Sequence, residues 1–369
     1  MKIKKFLFFF VHPSKYHLYR ITINKLIENG HEVKVLITSK DVLEPLVKVE
    51  NWDYINIFPE GRKIKGLPAK VSAVINTFRT LYRLNKHASQ NKYDLYVTDD
   101  LLTITGRLKN VPSILFQDDD ITSVPESVLV LSTATHILAP SYANFKKYNK
   151  KKIGFIGFKA SAYLHPNHFQ ADKNVLEKYT LRDKRFFIIR LVSLTATHDM
   201  GKKGLADNDI EKIIAKLEPY GEVIINSERE LEPKYEKYRK VVKPNEFVHL
   251  IAFADIFISD SQTMSMEAGY LGTPYIRFND FVGKISYLDE LENKYKLGYG
   301  ILTKDKQLLF DKIDELLKTT DLKKQWLLKQ SKMLTETIDL SKFMIWLFEN
   351  YPQSVQKIQG EPNFINEFK

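Results

Sequence analysis

The 369-residue sequence is longer than one hydrophobic core usually serves, so its length predicts two domains. It contains no cysteine, which excludes disulfides, thiolate nucleophiles and zinc–thiolate sites. The net charge of +11 suits an anionic partner such as phosphate or acidic lipid. Because zinc-finger spacing and RNA-recognition signatures are absent from the sequence, we expect no nucleic acid partner.

The first half of the chain alternates apolar strands with amphipathic helices, a pattern typical of a doubly wound parallel sheet. The apolar run at 6–11 is too short to span a bilayer and ends at His12-Pro13 without a small-residue cleavage site. We therefore expect a cytoplasmic protein. The predicted strands of this half are 3–11, 32–38, 55–57, 95–98, 113–116 and 136–139, and the predicted helices are 16–29, 68–90 and 101–109.

The alternation is lost over 148–184, which we interpret as a linker with a few ordered turns, and then resumes. Two α/β halves of this kind predict two Rossmann-like domains facing a central ligand cleft. We expect domains at 1–160 and 161–345 and a tail, 346–369, that packs back on them. The predicted elements of the second half are strands 186–191, 222–227 and 256–259, helices 207–217, 245–253 and 263–271, and a helical region over 308–351.

The segment 256–274 is the most informative one for function. An apolar strand leads into Asp260, Ser261, Gln262 and Thr263, which open a helix. Unpaired backbone N–H groups and the dipole at a helix start favour a phosphate, so the pattern predicts a diphosphate site. Glu267 lies one to two turns further along, where its carboxylate could accept the hydroxyls of a ribose. An ordinary helix start with a satisfied N-cap is the alternative.

Polar residues also follow the strand that ends near Arg190. The loop after it contains Ser193, His198 and Lys203, and loops at such strand ends face the ligand in doubly wound sheets. Arg190 offers a bidentate fork and Lys203 a point charge for phosphate oxygens.

In the first half, His12 follows the first strand, where it could act as a general base on an acceptor hydroxyl or simply cap the next helix. Acidic residues follow two further strands, at 99–100 and 118–120. The aspartate triplet imitates a metal-binding pattern, but helix dipoles and basic side chains can stabilise a departing diphosphate without a metal, so we expect no metal and no cofactor. A helix-starting acidic run is the alternative for 118–120.

The predicted helix 68–90 carries an apolar stripe and, on another side, a basic face. We expect the stripe to pack in the core. The basic face is open to two interpretations, a peripheral contact with acidic lipid at the inner face of the membrane or a solvated surface.

Asp260, Ser261 and Glu267 resemble the donor-binding half of GT-B enzymes, particularly the UDP-N-acetylglucosamine 2-epimerases and the peptidoglycan N-acetylglucosaminyltransferase. The segments His12-Pro-x-x-x-His17, Gly30-His-Glu-Val33, Arg190-Leu-Val-Ser193 and Ser259-Asp-Ser-Gln-Thr263 together resemble an uncharacterised GT-B-like family found among polysaccharide-assembly genes. Gln262 and Thr263 stand where the enzymes have two glycines.

The resemblance implies a GT-B fold whose second domain binds a nucleotide-sugar, with His198 near the phosphates. The function that we expect is a glycosyltransferase with a sugar or lipid-linked acceptor, in which His12 or an aspartate removes the acceptor proton. The alternative is a UDP-sugar 2-epimerase, in which Asp100 and Asp118 exchange the proton at the second carbon of the sugar. A non-catalytic nucleotide-sugar-binding protein is a third interpretation.

Overall fold

The computed structural model describes residues 2–39, 42–62, 68–193 and 204–369. Within these ranges short apolar strands alternate with longer amphipathic helices, as buried parallel sheets require. The strands are β1 (Lys5–Phe10), β2 (Glu32–Ile37), β3 (Asp53–Asn56), β4 (Leu95–Thr98), β5 (Ser113–Phe116), β6 (His136–Pro140), β7 (Lys152–Phe155), β8 (Phe186–Leu191), β9 (Glu222–Ser227), β10 (Ile256–Ser259), β11 (Tyr275–Phe278) and β12 (Gly298–Ile301). The helices are α1 (Pro13–Glu28), α2 (Leu43–Lys48), α3 (Ala69–Ala88), α4 (Leu102–Lys109), α5 (Val128–Thr133), α6 (Asp207–Leu217), α7 (Pro244–Phe253), α8 (Gln262–Tyr270), α9 (Ser286–Asp289), α10 (Lys306–Lys318), α11 (Leu322–Glu336), α12 (Leu340–Glu349) and α13 (Gln353–Gly360).

The chain divides into two compact units, which we call domain 1 (1–165 with 337–369) and domain 2 (166–336). Compared with the ranges 1–160, 161–345 and 346–369 expected from the sequence, the main difference is that 337–345 belongs to domain 1. The chain returns to domain 1 after α11. There the N–H of Ile338 donates to the carbonyl of Ile156 at 2.9 Å, and α12 packs against α1.

Domain 1 contains a parallel sheet with the strand order β3-β2-β1-β4-β5-β6-β7. The sequence predicts a linker at 148–184, and this prediction is wrong for the residues of β7, which pair with β6 at the edge of the sheet. Ile153 and Phe155 are buried in β7, whereas Lys152 and Gly154, which alternate with them, are partly exposed. An edge strand tolerates this composition because one of its sides is unpaired.

Domain 2 contains a parallel sheet with the strand order β12-β11-β10-β8-β9. Counted from β8, this is the 2-1-3-4-5 order of doubly wound folds, in which connections to β9 and β10 leave β8 in opposite directions. The strands β8, β9 and β10 and the helix α6 begin and end at the residues predicted from the sequence. The predicted α/β class with two doubly wound sheets is confirmed.

The helix α3 contradicts most of the expectation that its apolar stripe packs in the core, although Leu81 of the stripe does pack against the core of domain 1. Phe78 and Tyr82 are 68% and 72% exposed. The side that faces domain 1 instead carries Thr80, Leu84 and Ala88, which are buried and lie four residues apart on the other side of the helix.

The helical region predicted over 308–351 is divided among α10, α11 and α12. Trp326 on α11 is buried, and its indole N–H donates to the carbonyl of Leu297 at 2.7 Å. Trp346 on α12 stacks with Phe343 and contacts Phe368 at 5.2 Å between ring centroids. None of the helices in the described ranges combines the length and the apolar character that a membrane span requires.

Candidate functional site

The carboxyl ends of β8 and β10 are adjacent in domain 2, with Ser259 registered against Arg190. Because the chain leaves these two strands toward opposite faces of the sheet, a crevice opens between their following loops. The polar residues singled out in the sequence, at 190–193 and 260–263, lie at this switch point.

Asp260 connects the two loops. Its Oδ1 accepts from the N–H of Val192 at 2.8 Å, and its Oδ2 accepts from Nη2 of Arg229 at 3.3 Å. Burial raises the pKa of Asp260 to about 6, although the N–H of Val192 and the charge of Arg229 oppose that shift. With these contacts, both carboxylate oxygens of Asp260 take part in holding the two loops together.

Ser261 is the N-cap of α8. Its Oγ accepts from the N–H of Met264 at 3.3 Å, and its own N–H donates to Oγ of Ser259 at 2.7 Å. The first turn of a helix leaves N–H groups without intrahelical partners. Here those groups belong to Gln262 and Thr263, whose side chains are partly exposed, so the start of α8 offers two N–H donors and a hydroxyl to an anion.

Arg190 is buried between strand ends. Its Nη1 donates to Oδ1 of Asn226 and its Nη2 to Oε1 of Glu228. The Nε atom is buried without a hydrogen-bond partner among the described residues. The guanidinium that we expected to clamp a diphosphate is therefore paired with Glu228, and its buried Nε keeps an unused donor among the described residues.

Burial lowers the pKa of Arg190, and three carboxylates raise it. They belong to Glu228, Asp260 and Glu267. This electrostatic contact places the buried Glu267 of α8 close to Arg190 at the switch point. The backbone N–H of Ser193 donates to the other oxygen of Glu228 at 3.2 Å. His198 and Lys203 lie outside the described residues.

A buried ion pair supports the turn before α8, and no function was assigned to it from the sequence. The fully buried Arg277 donates from Nε and Nη2 to the two carboxylate oxygens of Glu292, each at 3.0 Å. Its Nη1 donates to Oδ1 of Asn279 at 3.1 Å. Asn279 in turn donates to the backbone carbonyl of Asp260 at 3.0 Å. An arginine inside the apolar strand β11 is the sequence signal for this network.

In domain 1, the strand order reverses between β1 and β4, so their carboxyl ends flank the switch point of that sheet. His12 follows β1 and caps α1, since its Nδ1 accepts from the N–H of Ser14 at 3.1 Å. A neutral imidazole that accepts at Nδ1 carries its proton on Nε2. His12 in this tautomer can donate a hydrogen bond, and it can act as a base only after giving up the cap.

Asp99 and Asp100 follow β4 and differ in their surroundings. Oδ1 of Asp100 accepts from the N–H of Leu101 at 2.7 Å, which occupies this carboxylate in its own turn. Burial raises the pKa of Asp100, and the charge of Arg62 opposes the shift. Oδ1 of Asp99 is buried and has no hydrogen-bond partner within the described ranges.

Burial also raises the pKa of Asp99, to about 6. Lys15 opposes this shift and the neighbouring charge of Asp100 adds to it. A carboxyl with an unused buried oxygen and a pKa close to neutrality has the properties of a general base.

Asp118 follows β5, the neighbour of β4, and lies between two lysines. Its Oδ2 is 3.0 Å from Nζ of Lys159, and its Oδ1 is 3.5 Å from Nζ of Lys15. Burial alone would raise the pKa of Asp118, but the two ammonium groups hold it well below its usual range. Asp118 is thus kept ionised, with both of its oxygens directed to lysines.

The three aspartates of 118–120 do not converge. Burial raises the pKa of Asp119 to about 6, and the charge of Asp118 adds to the shift. Oδ1 of Asp120 accepts from the backbone N–H of Asn144 at 2.6 Å, away from the lysines. Among the described residues no group of three or more histidine and acidic side chains could hold a metal ion.

The chain was compared with known proteins. A family described as "Protein of unknown function (DUF354)" matches residues 10–349. The chain belongs to this family. No curated protein matches it.

Solved structures with similar folds include members of two enzyme classes. The UDP-GlcNAc 2-epimerase of Neisseria meningitidis bound to UDP-GlcNAc is 14% identical, with a TM-score of 0.62 over 96% of this chain and 100% of that one. MnaA of S. aureus in a co-structure with UDP is 15% identical, with a TM-score of 0.66 over 96% and 98%. The calicheamicin glycosyltransferase CalG4 is 14% identical, with a TM-score of 0.60 over 95% and 100%. These likenesses establish the fold of the DUF354 chain, two Rossmann-like domains of the GT-B type.

Three residues that the sequence analysis did not assign a role lie at the candidate site of domain 1 in this family member: Asp99, Lys15 and Lys159. The doublet at 99–100 was recognised, but only folding distinguishes its two carboxylates. Lys15 lies in the first turn of α1, and Lys159 lies in the 3-10 turn Lys159–Ala162, within the segment that was predicted to be a linker. No local pattern connects either lysine with Asp118.

Proposed function

We propose that this protein transfers a sugar from a nucleotide-sugar, bound by domain 2, to a hydroxyl of a sugar or lipid-linked acceptor. The observation that supports the donor site is the start of α8 at the β8/β10 switch point. There the N–H groups of Gln262 and Thr263 can bind a diphosphate, and the buried carboxylate of Glu267 on the same helix can accept ribose hydroxyls.

The charged side chains at this site are largely paired with one another, so backbone dipoles are the main attraction for a dianionic guest. Arg190 is already paired with Glu228, so it contributes an unpartnered Nε and the residual field of a buried cation. N–H groups at a helix start stabilise the charge that develops on a departing diphosphate without reorganising, because they are already oriented. In this proposal Asp260 and Ser261 shape the turn, and Thr263 supplies a hydroxyl in place of a glycine.

The proposed transfer is an inverting displacement. The acceptor oxygen forms a bond to the anomeric carbon, the bond from that carbon to the diphosphate breaks, and the acceptor proton passes to a carboxylate of domain 1. Asp99 is the group that we assign to the proton, because its pKa of about 6 leaves it ionised at neutral pH and basic enough to accept. Asp118 and the two lysines beside it position this region.

A 2-epimerase is the second candidate, and one observation favours it. Asp99 and Asp119 follow the neighbouring strands β4 and β5, and burial raises the pKa of each to about 6, which suits both carboxyls to proton transfer near neutral pH. Such a pair is suited to removing and returning the proton at a sugar carbon. The two candidates differ in a simple requirement, since an epimerase converts its sugar nucleotide without an acceptor.

The test begins with calorimetric titration of the full chain with UDP, GDP and CMP. Glu267→Gln should weaken the tightest nucleotide by about 10-fold or more, as expected for losing hydrogen bonds to a charged acceptor. Glu246→Gln is the matched control: Glu246 is equally buried in domain 2, but its carboxylate binds Lys178 and Tyr179. Its affinity for the nucleotide should stay within about twofold of the wild type.

The second step incubates the protein with sugar conjugates of that nucleotide and follows the products by NMR. Conversion that starts only when a sugar or polyprenyl-phosphate acceptor is added supports the transferase. Conversion by the protein alone identifies an epimerase, and binding without turnover identifies a non-catalytic binding protein. If no nucleotide binds, or if Glu267→Gln binds as well as the wild type, the proposed donor site is wrong.

A further inference from the structure

The helix α3 exposes a continuous apolar face. Five large apolar side chains on it are 37% to 72% exposed: Val71, Val74, Ile75, Phe78 and Tyr82. Their spacing of three and four residues places them on one side of the helix. The stripe extends over eleven residue steps of α3, about 16 Å at the rise of an α-helix.

This face is directed away from the core of domain 1. The buried positions of the helix are Thr80, Leu84 and Ala88, which are on the opposite side. The helix is thus amphipathic in the reverse of the usual sense, with its larger apolar side chains toward solvent. Contiguous exposed apolar surface of this kind marks an interaction site, because its hydration is costly.

The charges of α3 are all of one sign. Its sequence contains Lys70, Arg79, Arg83 and Lys86 and no acidic residue. Helical spacing puts Arg79, Arg83 and Lys86 along one flank of the apolar face. The flank is cationic at the edge of the stripe.

Contacts with the preceding loop hold this flank in place. Arg79 and Arg83 both bind Glu60, at 2.8 and 2.6 Å. Their guanidinium groups lie over the ring of Phe58, 5.1 and 4.3 Å from its centroid. Because two arginines share one carboxylate, the flank keeps a net positive charge.

We propose that α3 docks the protein on an anionic lipid bilayer. The helix lies in the plane of the surface, its apolar stripe enters between the headgroups, and its basic flank contacts lipid phosphates. An apolar face with aromatic side chains beside a one-signed basic flank is the pattern of interfacial helices. Each lysine or arginine near an anionic surface adds to the attraction.

A second copy of this chain fits the face less well. A symmetric dimer would place the same patch on both partners, so the two cationic flanks would meet across a twofold axis without an acidic complement on the helix. An anionic bilayer supplies both the apolar interior and the negative surface. This inference is independent of the proposed transferase activity.

The test is co-sedimentation of the full chain with vesicles of phosphatidylcholine alone and of phosphatidylcholine with about 30% phosphatidylglycerol. We expect binding at least about 10-fold tighter to the anionic vesicles at 0.1 M salt than to the neutral ones. The double variant Phe78→Ser/Tyr82→Ser should bind anionic vesicles at least about 10-fold more weakly. Both side chains are exposed, so circular dichroism and thermal unfolding should match the wild type.

The control is Leu327→Ser/Leu328→Ser, which removes two exposed apolar side chains from α11 and should bind like the wild type. Three results would overturn the proposal. They are failure of the wild type to bind anionic vesicles, equal binding by the α3 variant, and a dimer in light scattering that the α3 variant dissociates. The last result would assign the face to a second copy.

Discussion

Replacing Lys159 by methionine would remove the nearer of the two cations that hold Asp118 ionised. At an effective dielectric constant of about 20, unit charges separated by 3.0 Å attract each other by about 5.5 kcal/mol. Part of this loss is offset, because the ammonium group of Lys159 no longer has to be desolvated. Lys15 remains 3.5 Å from the other oxygen. We therefore expect Lys159→Met to lower the free energy of unfolding by about 2–4 kcal/mol at pH 8.

The same change has a defined pH dependence. In the wild type the pKa of Asp118 lies below its unfolded value of about 3.9, so the stability that it contributes is present above pH 4 and is lost as the pH falls further. In the variant, burial raises the pKa of Asp118 with only Lys15 to oppose it. The folded state then takes up a proton at a higher pH than the wild type does, and the penalty of the substitution shrinks as the pH falls.

Urea unfolding followed by circular dichroism at pH 8, 6 and 4.5 measures this penalty. The matched control is Lys150→Met, in the same segment, where the lysine is exposed and the expected change is below about 0.5 kcal/mol. A loss for Lys159→Met as small as that of the control would refute the reasoning. A loss that is the same at pH 8 and pH 4.5 would show that packing, not charge, is the cause.

Three further predictions concern other parts of the molecule. Burial raises the folded pKa of Asp99 to about 6, above its unfolded value, so the ionisation of Asp99 costs stability as the pH rises from 4 to 6. Asp99→Asn should therefore raise the free energy of unfolding by about 1–2 kcal/mol at pH 8 and leave it unchanged at pH 4. The same variant should lose turnover. Ser261→Ala removes the cap of α8, so it should lower the free energy of unfolding in urea by about 1 kcal/mol and weaken nucleotide binding in calorimetry. Ser261→Asn, which can cap the helix, should keep the stability of the wild type. A Cβ on Gly298 would lie 2.3 Å from ring atoms of Tyr275, so Gly298→Ala should destabilise domain 2 by about 1–3 kcal/mol in thermal unfolding. The control is Gly360→Ala, where a Cβ meets no atom within 4 Å. Equal melting temperatures of the two variants would contradict the packing argument.

Most strands of both sheets could be predicted because their signal is local, whereas β7, β11 and β12 were not among the predicted strands. A buried parallel strand needs an uninterrupted apolar run, and β8 and β10 consist of such runs between polar turns. The four-residue edge strand β7 was missed since Lys152 and Gly154 interrupt its pattern, and only its pairing with β6 makes it a strand. Prediction from sequence therefore worked best where burial was complete.

The helix α3 shows what an amphipathic pattern leaves open. The period of the apolar residues correctly predicted a helix and a single apolar face. It also suggested that this face is buried, but Leu84 and its neighbours on the opposite side occupy the core. Periodicity reports which residues share a side, and only the packing of the other elements decides which side is covered.

The sequence by itself determined the succession of strands and helices, the absence of thiol chemistry, and the polar turn at 259–263 that opens α8, because these depend on composition and on neighbours along the chain. Only the tertiary structure decided that Arg190 is paired with Glu228, that Asp99 has a buried oxygen without a partner among the described residues, and that Lys159 lies against Asp118. The physical reason is that pairing and desolvation are set by groups far apart in sequence. Their distances, and hence their charges and proton affinities, do not exist until the sheets have formed.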